Sequence, residues 1–272
     1  MNKQSIYKLL KIVSLSLLFV ACKSEGPAPV SSGPQGLMPY QTISDKRAIL
    51  LFPELKDGSP RMNFDLTLLD MDGPEPIRSL VLDVLYQGMS PGEYADSLIA
   101  FFGEQYNVEG NPHGPNPDDF SATWNWEYAE TFKPLAQTPR ITVLYQERDY
   151  YTGGAHGMYE KNYFVFALDE AKQLHPEDLF KAGTEPALRD LIMQALWDRQ
   201  GLASGAPLSS AGFFDDSVDV PQDFFLGPGG IGFQWDVYEI APYVMGPIEI
   251  VIPYKNISGL LSPRGLSLIK EF

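Results

Sequence analysis

The sequence predicts an α+β fold in which antiparallel sheets carry packed helices. Three observations predict it. Apolar and polar residues alternate with period two at 62–70, 120–132 and 248–252, the mark of half-buried strands. Apolar residues recur at helical spacing at 77–85, 94–106 and 188–196, each stretch behind a proline or a capping residue. Tyr150, Tyr151, Thr152, Gly153, Gly154, Ala155, His156 and Gly157 lie between two strand patterns, 141–148 and 159–168. A glycine pair therefore stands where a chain reversal needs positive backbone angles. The chain divides into a signal segment, 1–21, a tether, 22–39, an N-terminal α+β part, 40–155, and a C-terminal α+β part, 156–272. The last two join at the Gly-Gly turn.

Composition bounds what such a chain can do. Its 272 residues, 44% hydrophobic and 12% aromatic, can bury a sizeable core in one large or two small domains. The formal net charge is −15, spread along the chain with no acidic tail. Nucleic acid is not an expected partner, because phosphates need a basic surface. Cys22 is the single cysteine, so no internal disulfide can form and packing alone must hold the core.

Lys3, Lys8 and Lys11 precede an apolar run, 12–20, that is shorter than the roughly 20 residues a bilayer span needs. Phe19, Val20, Ala21 and Cys22 follow, and this end of the run resembles the lipobox of bacterial lipoproteins, with Phe19 in place of the usual leucine. The resemblance implies cleavage before Cys22, acylation of that residue and attachment to a lipid bilayer in the cell envelope. Loss of the signal would leave 17 basic residues against 35 acidic, a net of −18. The stretch 23–39 is rich in Pro, Gly and Ser and has no apolar periodicity. Largely extended, it would reach about 50 Å at ~3.1 Å per residue.

The folded body is expected to begin near Tyr40. Strands at 48–52 and 62–70 flank the turn residues Asp57-Gly58-Ser59-Pro60. Pro74 and Pro76 open a helix carrying Ile77, Leu80, Val81, Val84 and Leu85. Ser90, Pro91 and Glu93 form the signature of a capping box for a second helix, which stops near Gly110. A loop at 111–119 leads to three strands, 120–132, 141–151 and 159–168, expected to form an antiparallel meander. In the first of them Trp124, Trp126 and Tyr128 fall on one face. His175 to Asp178 starts a short helix, and Thr184 caps a longer one whose stripe is Leu188, Leu191, Ile192, Ala195 and Leu196. Residues 227–232 turn into a strand at 233–240, a bend follows, and 248–252 forms the last strand before a short helical turn at 256–261.

A further likeness rests on ordered pieces. Tyr151-Thr152-Gly153-Gly154-Ala155-His156-Gly157 is followed by Leu174 and Asp178-Leu179-Phe180, then Phe224-Phe225-Leu226, Gly229-Gly230-Ile231, Phe233, Tyr238 to Tyr243, Gly246 and Ile250 to Tyr254. This order resembles the extracytoplasmic domain shared by the RsiV-type lysozyme-sensing anti-sigma factors and the non-catalytic part of PdaC-type peptidoglycan deacetylases. The likeness covers roughly 120–261. It implies an α+β fold, no enzyme activity for the domain itself and, in the anti-sigma factors, binding of lysozyme. Neither a sigma-binding region nor a deacetylase region is expected within these 272 residues.

Candidate chemistry is sparse. His156 beside its glycines could be a general base or a metal ligand. No second histidine, paired cysteine or His-x-x-x-His supports a metal site, and a hydrogen bond to a backbone carbonyl is the expected role. Gly153, Gly154, Ala155 and His156 are thus expected to be structural. Asp215, Asp216, Asp219 and Asp223 lack the EF-hand glycine and final glutamate and read as a solvated loop. The run 227–232 mimics a phosphate loop, but a strand follows it, so it reads as a hairpin connection. Trp124 and Trp126 could stack on sugar rings if exposed; core is the expected reading. No catalytic residue, cofactor or metal is assigned. The leading expectation is a tethered binding module for a basic, lysozyme-like secreted protein or a cell-wall glycan. An envelope hydrolase or deacetylase using His156 and a carboxylate ranks below it, as does a structural lipoprotein.

Overall fold

The computed structural model describes residues 37–110 and 121–272. The signal segment, Cys22, most of the tether, His113 and the expected loop at 111–119 lie outside the described residues.

The molecule is built on one six-stranded sheet. β1 (Tyr40–Leu50) and β2 (Arg61–Met71) form an antiparallel hairpin in the register Tyr40↔Met71 to Leu50↔Arg61. Then come α1 (Ile77–Tyr86) and α2 (Pro91–Gly110), and β3 (Trp126–Gln137) returns beside β2. This pair is parallel, Met62↔Trp126 to Thr67↔Thr131, within a sheet whose other neighbours are antiparallel. Parallel neighbours need a long crossover, and the two helices supply it. β4 (Ile141–Tyr151), β5 (Met158–Ala167) and β6 (Lys172–Leu174) complete the order β1-β2-β3-β4-β5-β6. The expected meander of β3, β4 and β5 is present. The expected partition at 155/156 falls inside this sheet, since β5 and β6 extend it.

Alternation on the strands gives the sheet two apolar faces. Met62, Phe64, Leu66 and Leu68 of β2, Trp126, Tyr128 and Phe132 of β3 and Leu144 of β4 face a core closed by α1 and α2. Ile141 and Val143 of β4 and Val165 of β5 face the opposite core. That second core is closed by α4 (Glu185–Gln200), by the three-stranded antiparallel sheet of β7 (Phe224–Gly227), β8 (Gly230–Trp235) and β9 (Ile248–Ile252), and by the C-terminal segment. α3 (Pro176–Leu179), α5 (Tyr254–Ile257) and α6 (Pro263–Leu268) are single turns packed at its rim.

Local chemistry explains the element ends. At α2 the Ser90 N–H donates to Glu93 Oε2 (2.9 Å), and the Glu93 N–H donates to Ser90 Oγ (3.3 Å), the capping box its sequence announced. The two-residue connection Pro228-Gly229 joins β7 to β8, as a hairpin should.

Several expectations are corrected. Met38 is not part of a solvated tether but is buried, with its Sδ and Cε against Gly73, because a lone apolar residue leaves no periodic signal. β1 starts eight residues before the expected strand at 48, where alternating polar residues on an edge strand hid it. β3 starts at Trp126, and Trp124 sits in a 3-10 turn (Ala122–Trp124) capped by Ser121, so the two indoles do not share a strand face. Thr184 occupies its N-cap, yet its hydroxyl donates to Lys181 O (2.7 Å) and caps nothing. β8 ends at Trp235 rather than 240, and β6 and α6 carried no recognisable pattern at three and six residues.

Candidate functional site

The corner between β4 and β5 is where the sequence placed its only histidine of interest. Gly153 (φ +84°) and Gly154 (φ +99°) both take left-handed backbone conformations. A Cβ at Gly153 would lie 3.3 Å from Thr123 O and 3.5 Å from the Trp126 indole nitrogen, whereas one at Gly154 would meet open space. The corner is thus packed down on the start of β3 through Gly153, and Tyr151 Oη ties it off by donating to Gly154 O (3.0 Å).

His156 projects from this corner toward the turn between β8 and β9. Its ring lies on Tyr243, centroids 4.2 Å apart and planes 24° from parallel. Its Nδ1 is 2.8 Å from Gly157 O, which makes Nδ1 the protonated donor in the neutral ring and leaves Nε2, 3.4 Å from Tyr238 Oη, to accept from the phenol. Tyr238 lies 5.8 Å from Tyr243 ring to ring. His156 and Tyr238 are both exposed. The turn that carries the two tyrosines is anchored to β5. Buried Asp236 accepts from the Lys161 N–H (2.9 Å) and from Gln234 Nε2 (2.8 Å) through one oxygen. Its own N–H donates to Glu239 Oε2 (2.9 Å).

Behind the corner the sheet holds a buried ionic network. Glu130 of β3 is fully buried on the face of Trp126, Tyr128 and Phe132. It accepts from Arg148 Nη2 (3.0 Å), Tyr94 Oη of α2 (2.9 Å) and Gln146 Nε2. Arg148 reaches on to Glu160 of β5 (2.8 Å), which Tyr150 Oη also approaches (3.3 Å). Burial first, and the Glu160 charge second, push the Tyr150 phenol up to about 12; burial and Glu130 drive Tyr94 well above the usual phenol range. These groups are consumed by one another, which makes the network a structural clasp rather than a reaction centre. Its signal in the sequence was a glutamate at a core-facing position of an alternating strand.

The opposite face of β4 and β5 carries a second polar group. Glu147 accepts from Tyr159, while Lys133 and Lys161 lie over the Tyr145 ring at 4.9 and 5.5 Å. Burial raises the Glu147 carboxyl, but the two tyrosine hydroxyls and the two lysine charges outweigh it and hold it below the usual range. Tyr163 Oη donates to Glu249 of β9 (2.6 Å) and joins this face to the small sheet.

The remaining expected residues do not converge. Asp216 accepts from the Ser209 N–H (3.0 Å), Asp219 pairs with Arg189 (2.7 Å), and Asp223 accepts the Gln234 N–H on its backbone oxygen (3.2 Å). Among the described residues no three His, Cys, Asp or Glu side chains gather as metal ligands. Trp126 is buried and Trp124 half-buried, both in the core under α2. Among the described residues neither ring nitrogen of His156 meets a carboxylate.

With this geometry in view, comparison places the fold. Residues 177–255 match the model of a protein family of unknown function, DUF3298. A DUF3298 family member from Bacteroides fragilis is similar in structure, with a TM-score of 0.75 at 21% identity over 86% of this chain and 96% of the other. A DUF3298 family protein from Pseudomonas aeruginosa gives a TM-score of 0.57 at 21% identity over 84% and 95%. No curated protein matches. The α+β architecture with antiparallel sheets is shared with these neighbours. Among the described residues no helix is long and apolar enough to cross a membrane.

Proposed function

We propose that the chain is an envelope lipoprotein, held to a bilayer by acylated Cys22, whose folded body binds a basic secreted protein of the lysozyme type. The observation that carries this reading is the make-up of the His156 corner. The imidazole is held by a carbonyl and a phenol and is stacked on a tyrosine. A histidine that works as a general base commonly has a carboxylate beside it to stabilise the imidazolium it becomes, and among the described residues none bonds His156. A stacked, exposed aromatic group suits contact better than proton transfer. The net charge of −18 left after loss of the signal supports a cationic partner, and so does the likeness to the anti-sigma-factor domain.

Two measurements test the reading. The full chain, purified in detergent, should bind hen lysozyme saturably and cytochrome c only weakly. Equal, unsaturable binding of both would reduce it to non-specific charge. Retention on peptidoglycan sacculi instead of lysozyme would replace the partner with a cell-wall glycan. Cys22→Ala should leave a soluble or unprocessed chain; a membrane-bound, mature-sized product would remove the lipid anchor from the reading.

A further inference from the structure

Three exposed large apolar side chains stand on neighbouring loops beside the small sheet. Val244 is 89% exposed, Phe214 52% and Tyr238 48%. Contacts join them. The Phe214 N–H donates to Ile240 O (3.0 Å), and the Tyr238 N–H donates to Ala241 O (3.1 Å). Met245 Sδ lies 3.3 Å from where a Cβ at Gly212 would be, so the turn bearing Val244 packs on the segment that leads into Phe214. His156 and Tyr243 continue the group toward the β4–β5 corner. Tyr238 also has φ +67°, a left-handed conformation that a bulky residue rarely takes, and its ring is not buried in return. Strain held at an exposed side chain is a feature of contact sites.

The segment that carries Phe214, Tyr238 and Val244 is acidic in sequence. From residue 200 to residue 254 the chain has seven carboxylates and no lysine or arginine. Asp215 directly follows Phe214, and Glu239 directly follows Tyr238; both are exposed.

We infer that Phe214, Tyr238, Val244 and the His156–Tyr243 stack form the docking surface for a cationic protein, with the aromatic and aliphatic side chains at its centre and the carboxylates at its rim. The inference rests on the binding-module reading and assigns it a surface. An apolar centre within a charged rim is the anatomy of a protein interface. A glycan could stack on the aromatic rings, but Val244, the most exposed of the group, offers the sugar hydroxyls no hydrogen bond, and a neutral sugar makes no use of the carboxylates' charge. A second copy would set the same carboxylates face to face, and an anionic lipid surface would be repelled.

Val244→Glu separates this arrangement from simple charge attraction, because it adds a negative charge while removing apolar contact. The full chain, Val244→Glu, Phe214→Asp and Leu135→Glu, the last an exposed site on β3 outside the patch, are titrated with hen lysozyme and with cytochrome c at 50 and 300 mM salt. The expected result is a tenfold or greater weakening of lysozyme binding by the two patch variants, none by Leu135→Glu, and unchanged melting, since these side chains are exposed. Saturable lysozyme binding that both patch variants retain would overturn the surface and leave the module reading standing. Binding confined to cytochrome c and lost in the patch variants would keep the surface and dismiss the lysozyme-type partner. Binding strengthened by Val244→Glu would show attraction by charge alone and overturn the apolar centre. No binding of either protein at 50 mM salt would overturn both proposals.

Discussion

Two residues show how single side chains hold this molecule. Glu130 has no access to water, and it accepts four hydrogen bonds from three residues, Tyr94 of α2 and Gln146 and Arg148 of β4. Removing it leaves Arg148 short of half its compensation inside the sheet. Glu130→Ala should therefore cost ~3 kcal/mol or more; a urea-denaturation midpoint equivalent to less than ~1 kcal/mol would show that the clasp is dispensable. Asp178 is the N3 residue of α3 and ties three elements together. It accepts from the His175 N–H (3.0 Å), from Lys172 of β6 and from Arg264 of α6 (3.2 Å). Burial raises its carboxyl, but the Lys172 and His175 hydrogen bonds and the two cationic charges outweigh it, so the folded value lies below the unfolded one. A depressed carboxyl contributes stability that is fully present above the unfolded value, ~3.9, and is lost as pH falls through the folded value. Asp178→Asn should then be less stable than the parent by ~1–2 kcal/mol at pH 7, and the gap should close as pH falls below about 4. A gap independent of pH would deny the carboxylate this role.

At the scale of elements, the β4–β5 corner distinguishes two glycines that look alike in the sequence. Both have positive φ, but only Gly153 approaches neighbouring atoms. Valine at either position must adopt a conformation that β-branched residues avoid, costing upward of ~1 kcal/mol. Gly153→Val should cost more than Gly154→Val, because its side chain must also displace Thr123 and Trp126. Equal melting temperatures for the two variants would refute the contact, and no loss in either would refute the need for glycine. Elements with strong periodicity or caps were legible in advance: β2, α1, α2, α4 and β9 fall within a few residues of expectation. β1 was read short because an edge strand alternates weakly: Lys46, paired with Asp65, and Arg47, paired with Asp45 and with Asp96 of α2, stand where apolar residues would have marked a strand. Trp124 was placed on β3 because alternation extends by habit past a cap that only Ser121 marks.

For the whole molecule, charge and surface act at different ranges. With the net of −18 that loss of the signal would leave, the proposed attraction for a cationic protein acts over a distance set by the Debye length, about 10 Å at 0.1 M salt and about 3 Å at 1 M. Association rates with hen lysozyme should fall steeply between these conditions while dissociation rates, set by short contacts, change little. Stopped-flow or surface-plasmon measurements across that range check this. A dissociation rate that rises with salt as steeply as association falls would mean that no apolar contact holds the complex.

By itself the sequence determined the α+β class, the Ser90–Glu93 capping box, the glycine-dependent reversal and the acidic character, because each is set by residues close together along the chain. The tertiary structure decided the rest. Periodicity says which face of a strand is apolar, but not which neighbour will cover it. The parallel pairing of β2 and β3, the two cores on opposite faces of one sheet and the burial of Glu130 therefore appear only when the strands assemble. The candidate site is of the same kind. His156 was visible from its glycines, but its phenol partner is 82 residues away, and the exposed Phe214 and Val244 come from loops that ordinarily read as solvent-facing. Only the packing of the small sheet against β5 brings Tyr238 and Tyr243 to His156.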